Sequence, residues 1–126
     1  MPKRTELSLE GFMSLVEKAL TALPDEFQRY LENVAVVVED EPPADVPDVM
    51  GLYEGVPLVE RSMNDTILPD RITLYKGPIQ RACRTYDEIE LEVGITVLHE
   101  VGHFFGLDEW QLERLELRMK KGRRNS

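Results

Sequence analysis

Three residues in this chain have the types and spacing of a reactive centre: His99, Glu100 and His103. They include both of the histidines present, four positions apart. On an α-helix, side chains at i and i+4 stand on one face a turn apart, so both imidazoles can reach a single metal ion. Glu100, directly after the first histidine, is placed to take a proton from a water on that metal. H-E-x-x-H on a helix is the spacing of zinc-dependent hydrolysis. The bland alternative for Glu100 is an outer hydrogen-bond acceptor. Catalytic zinc usually has three protein ligands and an open fourth position. With no histidine left, the third ligand is expected to be a carboxylate. A chain reversal at Gly106 makes Glu109 or Asp108 the natural supplier, although Asp108 could instead be a helix N-cap. Cys83 is a weaker candidate.

These side chains need a rigid support, and the preceding residues predict one. Thr85 with Glu88 at the third position is a capping box. From Ile89 through Leu91, Val93, Ile95, Val97, Leu98 and Val101 to Phe104 and Phe105 the segment is apolar nearly all round, as in a buried helix. Gly106 is a suitable left-handed C-cap. Polar His99, Glu100 and His103 on such a helix would be costly without partners, and a dication supplies them.

The rest of the chain reads as packing elements. Residues 9–23 have helical apolar spacing, with Ser8 as N-cap and Pro24 as terminator. Asp25 to Leu31 suggests one short helical stretch. The β-branched run Val34–Val38 predicts a strand buried on both faces, central in a sheet. The acidic, proline-rich stretch from Asp40 to Pro47 predicts a loop. Leu52–Val59 predicts a hairpin around Gly55, with Pro57 confining the second arm to an edge or bulge. Residues 61–70 read as a further loop, and Arg71–Tyr75 as a strand ended by Gly77-Pro78. A short helix is expected over Ile79–Arg84. The last helix starts near Asp108 and carries Trp110, Leu112, Leu115, Leu117 and Met119, the methionine facing the core.

At 126 residues the chain is expected to be one domain over 1–126, with an ordered core of about 8–120 and a basic tail at 120–126. A net charge of -9 argues against nucleic acid as the main partner. The single cysteine excludes an internal disulfide and fits a reducing compartment. No apolar run approaches the length of a bilayer span or a signal peptide, so a cytoplasmic location without membrane contact is expected.

The stretch His99-Glu100-Val101-Gly102-His103-Phe104-Phe105-Gly106-Leu107-Asp108-Glu109 resembles the extended metzincin-type motif H-E-x-x-H-x-x-G-x-x-(H/D). Over roughly residues 9–115 the chain resembles the bacterial minimal zincins: a backing helix, a Val-rich strand, a Gly-Leu-Tyr-x-Gly segment and the motif helix near the C-terminus. The resemblance implies an α+β fold with a small mixed β-sheet of three or four strands packed on helices, and the active-site helix in the C-terminal half. It also implies a Zn2+-dependent peptidase. Two departures stand out. Glu109 occupies a position where histidine or aspartate is usual, and no methionine turn follows. The chain is also expected to lack the lower subdomain that closes the cleft in larger zincins, leaving the site open.

On this reading His99, His103 and Glu109 (or Asp108) hold zinc, and Glu100 is the general base for hydrolysis of a peptide or protein substrate. Leu52 and Tyr53, on an edge strand, are candidate substrate-binding residues. Tyr53 or Tyr75 is a candidate donor to the developing oxyanion. The alternative is a zinc-binding regulatory or peptide-interaction domain that retains the zincin fold without turnover.

Overall fold

The computed structural model describes residues 6–56 and 70–125. Helix α1 (Leu9–Thr21) begins where the Ser8 hydroxyl accepts the Gly11 amide hydrogen at 3.0 Å. Its Phe12, Leu15 and Val16 are buried. The short helix α2 (Asp25–Tyr30) and a single 3-10 turn (Leu31–Asn33) lead into β1 (Val34–Glu39). Then come β2 (Gly51–Glu54), β3 (Asp70–Tyr75), helix α3 (Lys76–Arg81) and two long helices, α4 (Tyr86–Phe105) and α5 (Glu109–Asn125). Helices and a small sheet are segregated along the chain, so the fold is α+β.

Among the described residues the sheet has three strands in the order β1-β3-β2, with β1 parallel and β2 antiparallel to β3. It is therefore mixed, as expected, but its centre is not the strand that composition suggested. Val34–Val38 lies at an edge, with no fully buried residue, whereas Ile72, Thr73 and Leu74 of β3 are each at most 2% exposed. The valine run reflects β-propensity, which suits an edge strand equally well, and burial on both faces falls to the strand paired on both sides. Only part of the hairpin expected over Leu52–Val59 is described. Its first arm is β2, which pairs with β3. The second arm from Pro57 onward lies outside the described residues, as does the loop expected over 61–70 apart from Asp70, which opens β3.

Helix α3 starts three residues earlier than its apolar pattern suggested. Gly77 and Pro78 lie in its first turn rather than ending the strand. Proline is tolerated there because the first amides of a helix have no intrahelical acceptor.

Helix α4 matches its expected limits closely. The Thr85 hydroxyl accepts from the Glu88 amide at 3.1 Å, and Glu88 Oε2 accepts from the Thr85 amide at 3.0 Å. The helix ends at Gly106 in the left-handed region, φ 80°. Its Ile89, Val93, Val97 and Val101 form the core with Phe12, Leu15 and Val16 of α1, Ile72 and Leu74 of β3, and Ile79 and Cys83. At its far end Phe105 is held by α2, with ring centroids 4.8 Å from Phe27 and 5.9 Å from Tyr30.

Helix α5 packs back on α4. Leu112 is fully buried over Gly102, where a Cβ would overlap its side chain. Met119 faces the same partner, its methyl lying over Gly94. Trp110 and Leu117, expected to join this apolar face, are instead more than half exposed. The guanidinium of Arg114 lies 4.8 Å over the Trp110 ring. The helix runs to Asn125, so the basic residues expected as a tail continue it. Among the described residues, no helix is long and apolar enough to cross a membrane.

Candidate metal centre

The last two turns of α4 carry His99, Glu100 and His103. One potential ligand atom from each lies within 4.8 Å of the others. The rings of His99 and His103 are 4.7 Å apart, centre to centre, at 71°. Gly106 then reverses the chain. A reciprocal pair of bonds starts α5: Asp108 Oδ1 accepts from the Gln111 amide at 2.8 Å, and Gln111 Oε1 accepts from the Asp108 amide at 2.9 Å. The first residue inside the new helix is Glu109. Its Oε1 lies 3.8 Å from His99 Nε2 and 3.7 Å from His103 Nε2.

Those two distances bear on whether a metal fits. Tetrahedral zinc with ligand distances of ~2.0–2.2 Å keeps neighbouring ligand atoms roughly 3.3–3.6 Å apart. The Glu109 carboxylate oxygen already stands near that spacing from each imidazole nitrogen, and the donor set is one zinc accepts. Burial, followed by the neighbouring His99, pushes the His103 imidazole below its ordinary range, despite the opposing pull of Glu109. Its neutral, ligating form is thus favoured at neutral pH.

Glu100 is buried, 7% exposed, on the side of α4 facing the sheet. Burial pushes its carboxyl up to about 7, with Glu109 adding to the rise while His99 and the Tyr53 backbone amide oppose it. That amide hydrogen is donated from β2. The Tyr75 amide donates to Met50 O at 2.8 Å, so in the antiparallel register the main-chain groups of Gly51 and Tyr53 turn away from β3. Gly51 allows the strand to approach α4 closely. A Cβ there would stand 2.7 Å from Thr96 Cγ2 and 3.1 Å from Glu100 Cγ.

The remaining sequence candidates are distributed as follows. Asp108 caps α5, so Glu109 is the carboxylate that meets both imidazoles. Cys83 sits in the apolar core with Phe12 and Ile89. The Tyr53 hydroxyl donates to Asp70 Oδ2 at 2.8 Å, and its ring meets Phe104 edge-on. Tyr75 is buried at the end of β3, and Leu52 is 40% exposed on β2. A cavity of about 390 Å³ opens beside His99, lined in part by Met50, Gly51, Ile95, Thr96, His99 and Glu100. Sequence reasoning missed Glu116, whose Oε1 is 2.8 Å from His99 Nδ1. A signal for it existed: Glu109, Leu112 and Glu116 follow the i, i+3, i+7 spacing of one helix face.

Comparison with known proteins bears on the fold and on this motif. We found no curated protein that matches the chain. Among solved structures, a conserved hypothetical protein from Thermus thermophilus is similar at 30% identity and a TM-score of 0.54, covering 88% of this chain and 99% of the other. The family profile described as zincin-like metallopeptidase matches residues 31–119, from the turn before β1 into α5. Together with a helix that presents two imidazoles and a buried glutamate to one point, that match establishes that the chain belongs to the zincin-like metallopeptidase family.

Proposed function

We propose that this protein is a zinc-dependent peptidase in which His99, His103 and Glu109 hold the metal and Glu100 moves the proton. The observation carrying this reading is the near-equal approach of both Nε2 atoms to Glu109 Oε1, beside a buried carboxylate. When bound, zinc lowers the pKa of its water toward ~7 and polarises a carbonyl oxygen.

This chain's residues supply the rest. Glu100 takes the proton from the attacking water on its carboxylate and gives it to the departing amine. A carboxyl whose affinity for protons lies near neutrality suits both halves of that transfer. The amide hydrogen from Tyr53 holds the carboxylate in place, and Gly51 keeps the strand close enough to provide it. An extended peptide laid along β2, an edge strand among the described residues, would pass this carboxylate, with the exposed Leu52 at its border. The buried thiol of Cys83 is compatible with a reducing cytoplasm, where we place the protein.

Three measurements test this. Elemental analysis of the purified chain should find one zinc per molecule. A mixed peptide library should contain a cleaved member. The Glu100→Gln variant should retain zinc and lose that cleavage. Zinc retained with cleavage unchanged in Glu100→Gln would remove Glu100 from the reaction. Zinc retained with no cleavage of any peptide by the parent would favour a non-catalytic binding domain.

A further inference from the structure

Beyond the three proposed ligands and the base, a third carboxylate, that of Glu116, touches the centre from behind. We infer that Glu116 is a positioning residue for the metal, acting through His99: it fixes the imidazole as the Nδ1–H tautomer and leaves Nε2 free to ligate. This inference rests on the zinc reading above.

The geometry is specific. Glu116 Oε1 is 2.8 Å from His99 Nδ1, a charge-assisted distance, and its side chain is only 21% exposed. An ionised carboxylate can only accept a hydrogen bond, so the shared hydrogen belongs to Nδ1 of the neutral ring. The lone pair then lies on Nε2, the atom that stands 3.8 Å from Glu109 Oε1. A neutral imidazole without such a partner divides between two tautomers, only one of which presents Nε2 as a ligand. Glu116 removes that division before metal arrives and makes the ring more basic toward it.

The same stripe of α5 serves both carboxylates. Seven residues is two helical turns, so Glu109 and Glu116 face α4 together, with buried Leu112 between them. One docking contact therefore brings one carboxylate to the metal side of His99 and another to its outer side. A plain ion pair between helices would show the same distance but would have no influence on zinc beyond its effect on stability.

The test uses the full chain and zinc alone, read by competition with a chelator. The Glu116→Ala variant should bind zinc about 10–100-fold more weakly than the parent. The Glu116→Gln variant, whose amide oxygen can still accept from Nδ1, should recover part of that loss. Imidazole nitrogen NMR of the metal-free parent should show His99 as the Nδ1–H tautomer. With two histidines in the chain, a His103→Ala variant assigns the signals. Equal zinc affinity in the parent and Glu116→Ala, or His99 carrying its hydrogen on Nε2 in the parent, would overturn the inference. If Glu116→Ala fails to fold, the tautomer in the parent and the affinity of Glu116→Gln still decide it. A parent that takes up no zinc overturns the peptidase reading as well. A parent that binds zinc with no effect of Glu116 overturns this inference alone.

Discussion

Helices α4 and α5 face each other across the candidate centre and support it in different ways. Helix α4 is anchored along its length by core residues, capped at Thr85 and Gly106, and pinned at Phe105 by α2. Its two imidazoles are related by backbone geometry alone. Helix α5 is amphipathic and largely exposed, joined to α4 by a short turn, and docked through Leu112 over Gly102. Its Glu109 and Glu116 reach the histidines only while that docking holds. The contrast teaches that half of this centre is a property of one helix, whereas the other half is a property of an interface.

Perturbing the interface should therefore separate the two halves. Leu112→Ala removes a fully buried side chain and should destabilise the fold by about 2–5 kcal/mol in urea titration. Zinc affinity should fall with it, because α5 loses the contact that aligns both carboxylates. A zinc affinity unchanged in a folded Leu112→Ala protein would mean that α5 contributes no ligand.

Glu109→Gln should weaken zinc by more than the ~100-fold at the upper end for outer hydrogen-bond partners, with little change in melting temperature, since the side chain is 67% exposed. Chelator competition measures the first quantity and thermal denaturation the second.

A pH effect should come from the α4 side. In metal-free protein the Glu100 carboxyl is raised from 4.5 to about 7, chiefly by burial. The folded state then keeps a proton that the unfolded chain releases. Glu100's contribution to stability is thus greatest below 4.5 and is lost as the pH rises through about 7. In chelator, the parent's melting temperature should fall relative to that of Glu100→Gln across this window. Parallel curves for the two proteins would contradict the buried, proton-retaining carboxyl.

The smallest effect is expected at the junction between the helices. Asp108→Asn keeps a good N-cap and should change stability by less than ~0.5 kcal/mol, leaving zinc affinity as in the parent. A large loss of zinc in this variant would make Asp108, rather than Glu109, the ligand.

Much of the architecture was legible in the residues before any coordinates. Ser8, Thr85 and Gly106 mark helix ends through local hydrogen bonds and a left-handed turn, which need no distant partner. The Val34–Val38 strand was equally plain, but its place at the sheet edge was not. Pairing on one side or two is decided by other strands. Trp110 and Leu117 misled for a similar reason, because apolar character does not reveal which part of a helix its neighbours cover.

The sequence by itself determined that two imidazoles and a glutamate share one helix, since a spacing of four residues has a single spatial meaning once the helix forms. Only the tertiary structure decided between Glu109 and Asp108 as the carboxylate beside both rings, and only it brought Glu116 against His99 and the Tyr53 amide against Glu100. Those contacts join separate elements. They exist because Leu112 packs into the space over Gly102 and because Gly51 lets a strand approach a helix, and neither fit can be read from spacing along the chain.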